Sequence, residues 1–215
     1  MYTELSQRPP SRHVWVYLFL QLCVFTLAIV NLSLSRWFSY CWWDFGLFSS
    51  HSFYDYDAQF TSGNSISEVK SDVCDQQPAR DFVENFCPSF CKYVENFEAA
   101  GIMMLCFALL GLVFTLVVIG IHVVMLVKRR RGREYENELI VMWQVLPSLA
   151  YFLAFTLYLM ACDLSYLEKV HANGLEDGTK PINPELGPGV SLGIAVTTLF
   201  ILVTIYGIVT TRKEF

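Results

Sequence analysis

Four long apolar segments constrain this chain more than any other feature of its sequence. A helix needs about 20 apolar residues to cross the hydrocarbon layer of a bilayer. The 215-residue chain is 54% hydrophobic and 16% charged, whereas about 25% of the residues in soluble domains are charged. Together these values predict an integral membrane protein with four spans at 14–36, 99–127, 139–162 and 189–211. The first span exceeds the apolar core of a cleaved signal peptide, so we expect it to remain in the protein.

The basic residues predict an orientation for these spans. The short loop 128–138 begins with five basic side chains in six positions, and loops of this kind stay in the cytoplasm. Segments 1–13 and 212–215 are then cytoplasmic too. Loops 37–98 and 163–188 face outward, and we expect the plasma membrane as the location. The predicted cytoplasmic basic cluster, which would contact anionic membrane lipid rather than nucleic acid, is Lys128, Arg129, Arg130, Arg131 and Arg133.

The first outer loop opens with the stretch WFSYCWWDFGLF, which holds seven aromatic residues in twelve positions. A flexible linker would not carry so many aromatic residues, so the loop predicts a folded extracellular domain. We expect Trp37 and Phe38 at the level of the lipid headgroups, and residues 43–48 in a strand. The apolar spacing over 81–98 predicts a helix that joins the second span.

Four cysteines in this loop are candidates for disulfides, because an outward-facing loop folds under oxidising conditions. Four cysteines allow three pairings, and all three remain open. The spacing in FCPSFC is C-x3-C rather than the C-x-x-C of thiol oxidoreductases, which favours a structural bond over redox catalysis. Cys162 either pairs outward or stays a free thiol. The four candidates are Cys41, Cys74, Cys87 and Cys91.

The spans contain few polar side chains that could carry chemistry. His122, Gln21 and Gln144 are the main ones, and hydrogen bonds between helices are the expected use of the two glutamines. For His122 a hydrogen bond to a neighbour or a headgroup is favoured over a proton relay. We therefore expect no enzyme activity, no cofactor and no metal ion.

The outer loop also carries residues that resemble a known family. Trp37 or Trp43 can stand for a family tryptophan, and Gly46-Leu47-Phe48 is similar to the Gly-Leu-Trp that follows it. These residues, with the large first outer loop, resemble the claudin, peripheral-myelin-protein and calcium-channel gamma-subunit superfamily, of which this chain would be a divergent member. Phe48 departs from the family tryptophan, and Cys74 lies 26 positions further along the chain.

The resemblance implies a fold and a class of function. The fold is mainly α, a left-handed four-helix bundle with a small disulfide-linked extracellular antiparallel β-sheet, and two of Cys74, Cys87 and Cys91 would form the family's disulfide. The expected function is that of an auxiliary or structural subunit of a larger membrane complex such as an ion channel, with other integral membrane proteins as partners. The alternatives are a claudin-like adhesion or barrier protein that polymerises through its outer loops and a membrane redox enzyme.

Overall fold

The computed structural model describes residues 12–40, 43–47, 49–52, 65–87, 89–129, 137–162 and 185–214. The helices in these ranges are α1 (Arg12–Ser33), α2 (Ile66–Val69), α3 (Gln77–Phe86), α4 (Phe90–Arg129), α5 (Asn137–Ala161) and α6 (Pro188–Glu214). A π-helical turn, Lys70–Cys74, follows α2 directly. The strands are β1 (Phe38–Tyr40), β2 (Trp43–Phe45), β3 (Ser50–Ser52) and β4 (Glu185–Leu186).

Four of the helices are long and apolar enough to cross a membrane, which confirms the prediction of a multi-pass membrane protein. The spanning segments agree with the predicted ones to within a few residues, except that the second extends further toward the N-terminus because α4 begins at Phe90. They are Arg12–Ser33, Phe90–Val127, Ile140–Ala161 and Pro188–Thr211.

The single helix predicted over 81–98 is wrong, because the chain breaks between α3 and α4. Ser89 has a φ of 65°, in the left-handed region that no α-helix contains. The backbone N–H of Cys87 still donates to the carbonyl oxygen of Val83, and that of Phe90 donates to the carbonyl oxygen of Cys87. Beyond this break α4 continues without interruption into the second span, as predicted.

The chain divides into two compact units. The helical unit contains residues 1–29, 107–153 and 195–215, and the mixed unit contains residues 30–106 and 154–194. In the helical unit Val14 and Leu18 of α1 pack with Leu126 of α4 in a small apolar core. Large apolar side chains also point outward, such as Phe19 at 66% exposure and Met142 at 69%, as expected where helices face lipid.

The mixed unit holds the β-strands, which pair antiparallel in the order β3-β2-β1-β4 among the described residues. Phe38 lies opposite Phe45, and Tyr40 lies opposite Trp43. Because side chains alternate between the two faces of a strand, these four aromatic residues occupy one face of the sheet. β4 pairs with β1 through Leu186 and Phe38. One aromatic face is therefore assembled from two strands only three residues long.

Candidate functional site

The aromatic face of the sheet packs on the first two turns of α4. Phe90 and Phe97 are seven residues apart and therefore lie on the same side of the helix. Phe90 is completely buried, and its ring centroid lies 6.1 Å from that of Trp43 and 6.1 Å from that of Phe45. Phe97 stacks on Phe38 at 5.2 Å and on Phe45 at 5.1 Å. These ring contacts form the core of the mixed unit.

Trp37 and Phe38 are both buried in the protein, and their expected position at the level of the lipid headgroups stays a prediction. The indole of Trp37 meets the ring of Tyr158 on α5 edge to face, with centroids 4.9 Å apart. A Cβ at Gly189 would come within 2.6 Å of the indole ring. The ring fits because Gly189, at the start of α6, leaves this space open.

Gly46 and Leu47, two of the family-motif residues, lie at close backbone contacts. The backbone N–H of Gly46 donates to the carbonyl oxygen of Ser49 over 2.7 Å, and a Cβ at Gly46 would meet the hydroxyl of that serine at 2.9 Å. The carbonyl oxygen of Leu47 lies against Gly101 on α4. Phe48, the third residue of this motif, lies outside the described residues.

An ion pair that sequence reasoning missed lies on the opposite face of the sheet. Asp44 is flanked by aromatic residues in β2 and is 8% exposed. Its carboxylate lies 3.2 Å from Nε of Arg36, whose side chain reaches toward water. A lone acidic residue inside an aromatic strand was the available signal, since a buried carboxylate needs a partner.

A disulfide joins Cys74, at the end of the π-helical turn, to Cys91 in the first turn of α4. Lys70, one turn earlier, reaches the same helix through an ion pair with Glu98 at 3.4 Å. Of the other two candidates, Cys87 is also disulfide-bonded, and Cys41 lies outside the described residues.

Cys162 is a free thiol at the end of α5. Burial raises the pKa of this thiol to about 12, and a hydrogen bond with Tyr158 opposes that rise only in part. Because the thiolate is the reactive form of cysteine, Cys162 is a poor nucleophile at neutral pH. Cys23 and Cys106, within the spans, are free as well.

A chain of hydrogen bonds connects three helices of the helical unit. The side-chain nitrogen of Gln144 on α5 donates to Nε2 of His122 on α4 over 2.9 Å. It also donates to the hydroxyl of Thr211 on α6 over 2.7 Å. Thr204, two turns earlier on α6, donates to the carbonyl oxygen of Gln144 over 3.3 Å. Gln144 thus makes the bonds between helices that were expected of it.

These bonds define the protonation state of His122. Nδ1 of the ring lies 2.8 Å from the carbonyl oxygen of Val118, which can only accept, so Nδ1 carries a hydrogen. Nε2 faces an amide nitrogen, which can only donate, so Nε2 carries none. The imidazole is therefore neutral in this arrangement, with a defined tautomer.

Tyr17 and Gln21 on α1 extend this polar cluster. The phenol ring of Tyr17 lies 4.9 Å from the imidazole of His122 and covers Gly207 of α6, where a Cβ would collide with it. Gln21 donates to the hydroxyl of Tyr17, four residues earlier in its own helix, over 2.9 Å. The expected bond from Gln21 to another helix is therefore wrong. Sequence reasoning also missed Tyr17, Thr204 and Thr211.

The predicted basic cluster begins at the end of α4 with Lys128 and Arg129. Arg130, Arg131 and Arg133 lie outside the described residues. Across the residues that the structure does describe, no group of three or more His, Cys, Asp or Glu could hold a metal ion.

Comparison of the chain with protein-family models and with curated proteins gives no match in either case. The resemblance carried by Trp37, Trp43 and Gly46-Leu47-Phe48 to the claudin superfamily therefore stays a prediction.

Proposed function

We propose that this chain is a non-enzymatic, claudin-like four-helix membrane protein that acts as an auxiliary or structural subunit of a larger membrane complex, in particular an ion channel. The observation that carries the proposal is the length of α4 and the number of features that this one helix bears. One uninterrupted helix of 40 residues carries the aromatic core of the mixed unit, an anchoring disulfide and a membrane span. A partner subunit could bind such a protein both in the bilayer and on the outer surface.

The orientation is part of the proposal. We place the basic cluster, beginning at Lys128, and both termini in the cytoplasm, because short loops rich in Lys and Arg remain there. The sheet of the mixed unit is then extracellular. The Cys74–Cys91 disulfide supports an extracellular position of the mixed unit, since disulfides persist in oxidising compartments. We propose the plasma membrane as the location and the left-handed bundle of the claudin superfamily as the packing of the spans.

The polar side chains inside the helical unit support a structural rather than a conducting role. Gln144, His122 and Thr211 bond to one another, as expected of side chains that hold helices together. The outward faces of the spans are apolar, as at Phe19 and Met142. Lipid and the helices of other integral membrane proteins are the partners that such faces accept, and nucleic acid is not.

Purification of the tagged chain from its native membrane in mild detergent tests this proposal. We expect a heteromeric complex, with one or more integral membrane proteins recovered in constant ratio and cross-linked to both the mixed unit and the spans. Recovery of only the monomer, or of a homopolymer, would refute the subunit role.

A claudin-like adhesion protein that polymerises through its outer loops is the second candidate, and Phe82 is the observation that favours it. This aromatic side chain on α3 is 55% exposed, where another copy of the chain could cover it. Phe82→Asp separates the two proposals. If the chain polymerises, transfected cells should form intramembrane strands that this variant weakens. If it is a subunit, no strands form, and the variant lowers the yield of the heteromeric complex.

A further inference from the structure

A proton added to His122 would place two donors opposite each other. Nε2 of the ring would then carry a hydrogen that points at the amide nitrogen of Gln144, 2.9 Å away. Reversal of the amide by rotation of its terminal torsion removes this conflict. It brings Oε1 of Gln144, which has no hydrogen-bond partner among the described residues, toward both His122 and Thr211.

The reversed amide has suitable partners on both sides. Oε1 can accept two hydrogen bonds, one from the protonated ring and one from the hydroxyl of Thr211. The hydroxyl can serve in either state, because it is both a donor and an acceptor. α4, α5 and α6 thus remain connected while donors and acceptors exchange places along the chain of bonds.

Among the described residues, the groups that contact the ring carry no charge that would compete with this exchange. The groups in contact with it are the phenol of Tyr17 on α1, the carbonyl of Val118 on α4 and the amide of Gln144 on α5. On α6, Thr211 contacts the same amide. Lys128 and Arg129 follow six and seven positions later on α4.

We propose that His122, Gln144 and Thr211 form a proton-controlled switch in which protonation of His122 and reversal of the Gln144 amide occur together. The switch is independent of the subunit or adhesion role, because it uses side chains of the helical unit alone. It gives the interior of the protein two bonding arrangements, and pH selects between them.

Nuclear magnetic resonance of the full chain in lipid nanodiscs, with nitrogen-labelled histidine and glutamine, tests the switch. At neutral pH we expect Nε2 of His122 to resonate as an unprotonated ring nitrogen, with a scalar coupling across the hydrogen bond to the side-chain nitrogen of Gln144. On acidification the Nε2 signal should shift to that of a protonated nitrogen. The coupling should disappear, and the Gln144 side-chain signals should shift with the same midpoint.

Two variants serve as controls. His122→Asn identifies the ring signals by removing them. Gln144→Glu supplies a fixed acceptor and a negative charge, which should raise the proton affinity of His122 by about tenfold or more. The proposal is overturned if the wild-type ring stays neutral until the protein unfolds. It is also overturned if the ring becomes protonated while the Gln144 signals remain unchanged.

Discussion

The mixed unit and the helical unit are stabilised by different kinds of contact. In the mixed unit aromatic rings pack around Phe90 and Phe97, and a disulfide joins Cys74 to Cys91. In the helical unit hydrogen bonds made by Gln144 join the helices, beside a small apolar core. Apolar packing is favourable where the alternative is water, but helices in a bilayer gain little from it because lipid is equally apolar. A substitution that removes a buried side chain should therefore lower the free energy of unfolding more in the mixed unit than in the helical unit.

Phe90→Ala should have the largest effect. The residue is completely buried and contacts rings on both β1 and β2. Its truncation should lower the free energy of unfolding of the mixed unit by about 3–5 kcal/mol. Denaturant unfolding followed by tryptophan fluorescence measures this change, and Phe82→Ala at the exposed position of α3 is the matched control. Equal losses from the two variants would contradict the assignment of Phe90 to the core.

Cys74→Ala should have the second-largest effect on the stability of the mixed unit. Loss of a native disulfide costs about 2–5 kcal/mol in a small extracellular domain, so we expect reduced delivery of this variant to the cell surface. Cys106→Ala, which removes a free thiol, should be delivered normally. Surface labelling of both variants makes the comparison. Normal delivery of the Cys74 variant would argue against a disulfide-dependent domain.

The same cysteines give a prediction that peptide mapping without reductant can check. Of the seven cysteines, Cys74 and Cys91 pair with each other and three are free. Cys87 is bonded as well, so mapping should recover it in a disulfide-linked peptide. A peptide containing Cys87 with a free thiol would contradict this assignment.

The spans could be predicted from the sequence because the length of an apolar run is a direct requirement of the bilayer. The bond of Gln144 to other helices followed from the cost of leaving an amide unpaired. The burial of Trp37 could not be predicted, because a tryptophan at the end of a span is equally typical of the lipid interface and of a buried core. Only the space beside Gly189, distant in sequence, distinguishes the two.

Two expectations were wrong because of local geometry. The break before α4 had a signal in Pro88, because the residue before a proline is disfavoured in a helix. The apolar spacing over 81–98 concealed this signal. Gln21 bonds within its own helix because Tyr17 stands four residues earlier with a hydroxyl in reach. Which of several possible partners a side chain selects depends on rotamers and is therefore not visible in spacing.

Glycine-to-alanine substitutions compare the two units through smaller losses of unfolding free energy. A Cβ at Gly101 would meet the backbone of Leu47 in the mixed unit, and one at Gly207 would meet the ring of Tyr17 in the helical unit. Each alanine variant should lose about 1–3 kcal/mol by overpacking, with Gly101→Ala the worse because backbone moves less readily than a ring. Gly120→Ala meets nothing within 4 Å and should be neutral or slightly stabilising. Thermal unfolding of the three variants in detergent measures the order.

Gln144→Leu should destabilise the protein less than Phe90→Ala and is the sharpest test of the contrast. The change removes bonds to both His122 and Thr211. Hydrogen bonds between membrane helices contribute about 0.6 kcal/mol each on average and about 1.7 kcal/mol at most. Gln21→Leu, which removes a bond within one helix, is the matched control and should cost less. A Gln144 variant as unstable as Phe90→Ala would show that polar contacts, rather than aromatic burial, hold this protein together, and the comparison between the units would have to be reversed.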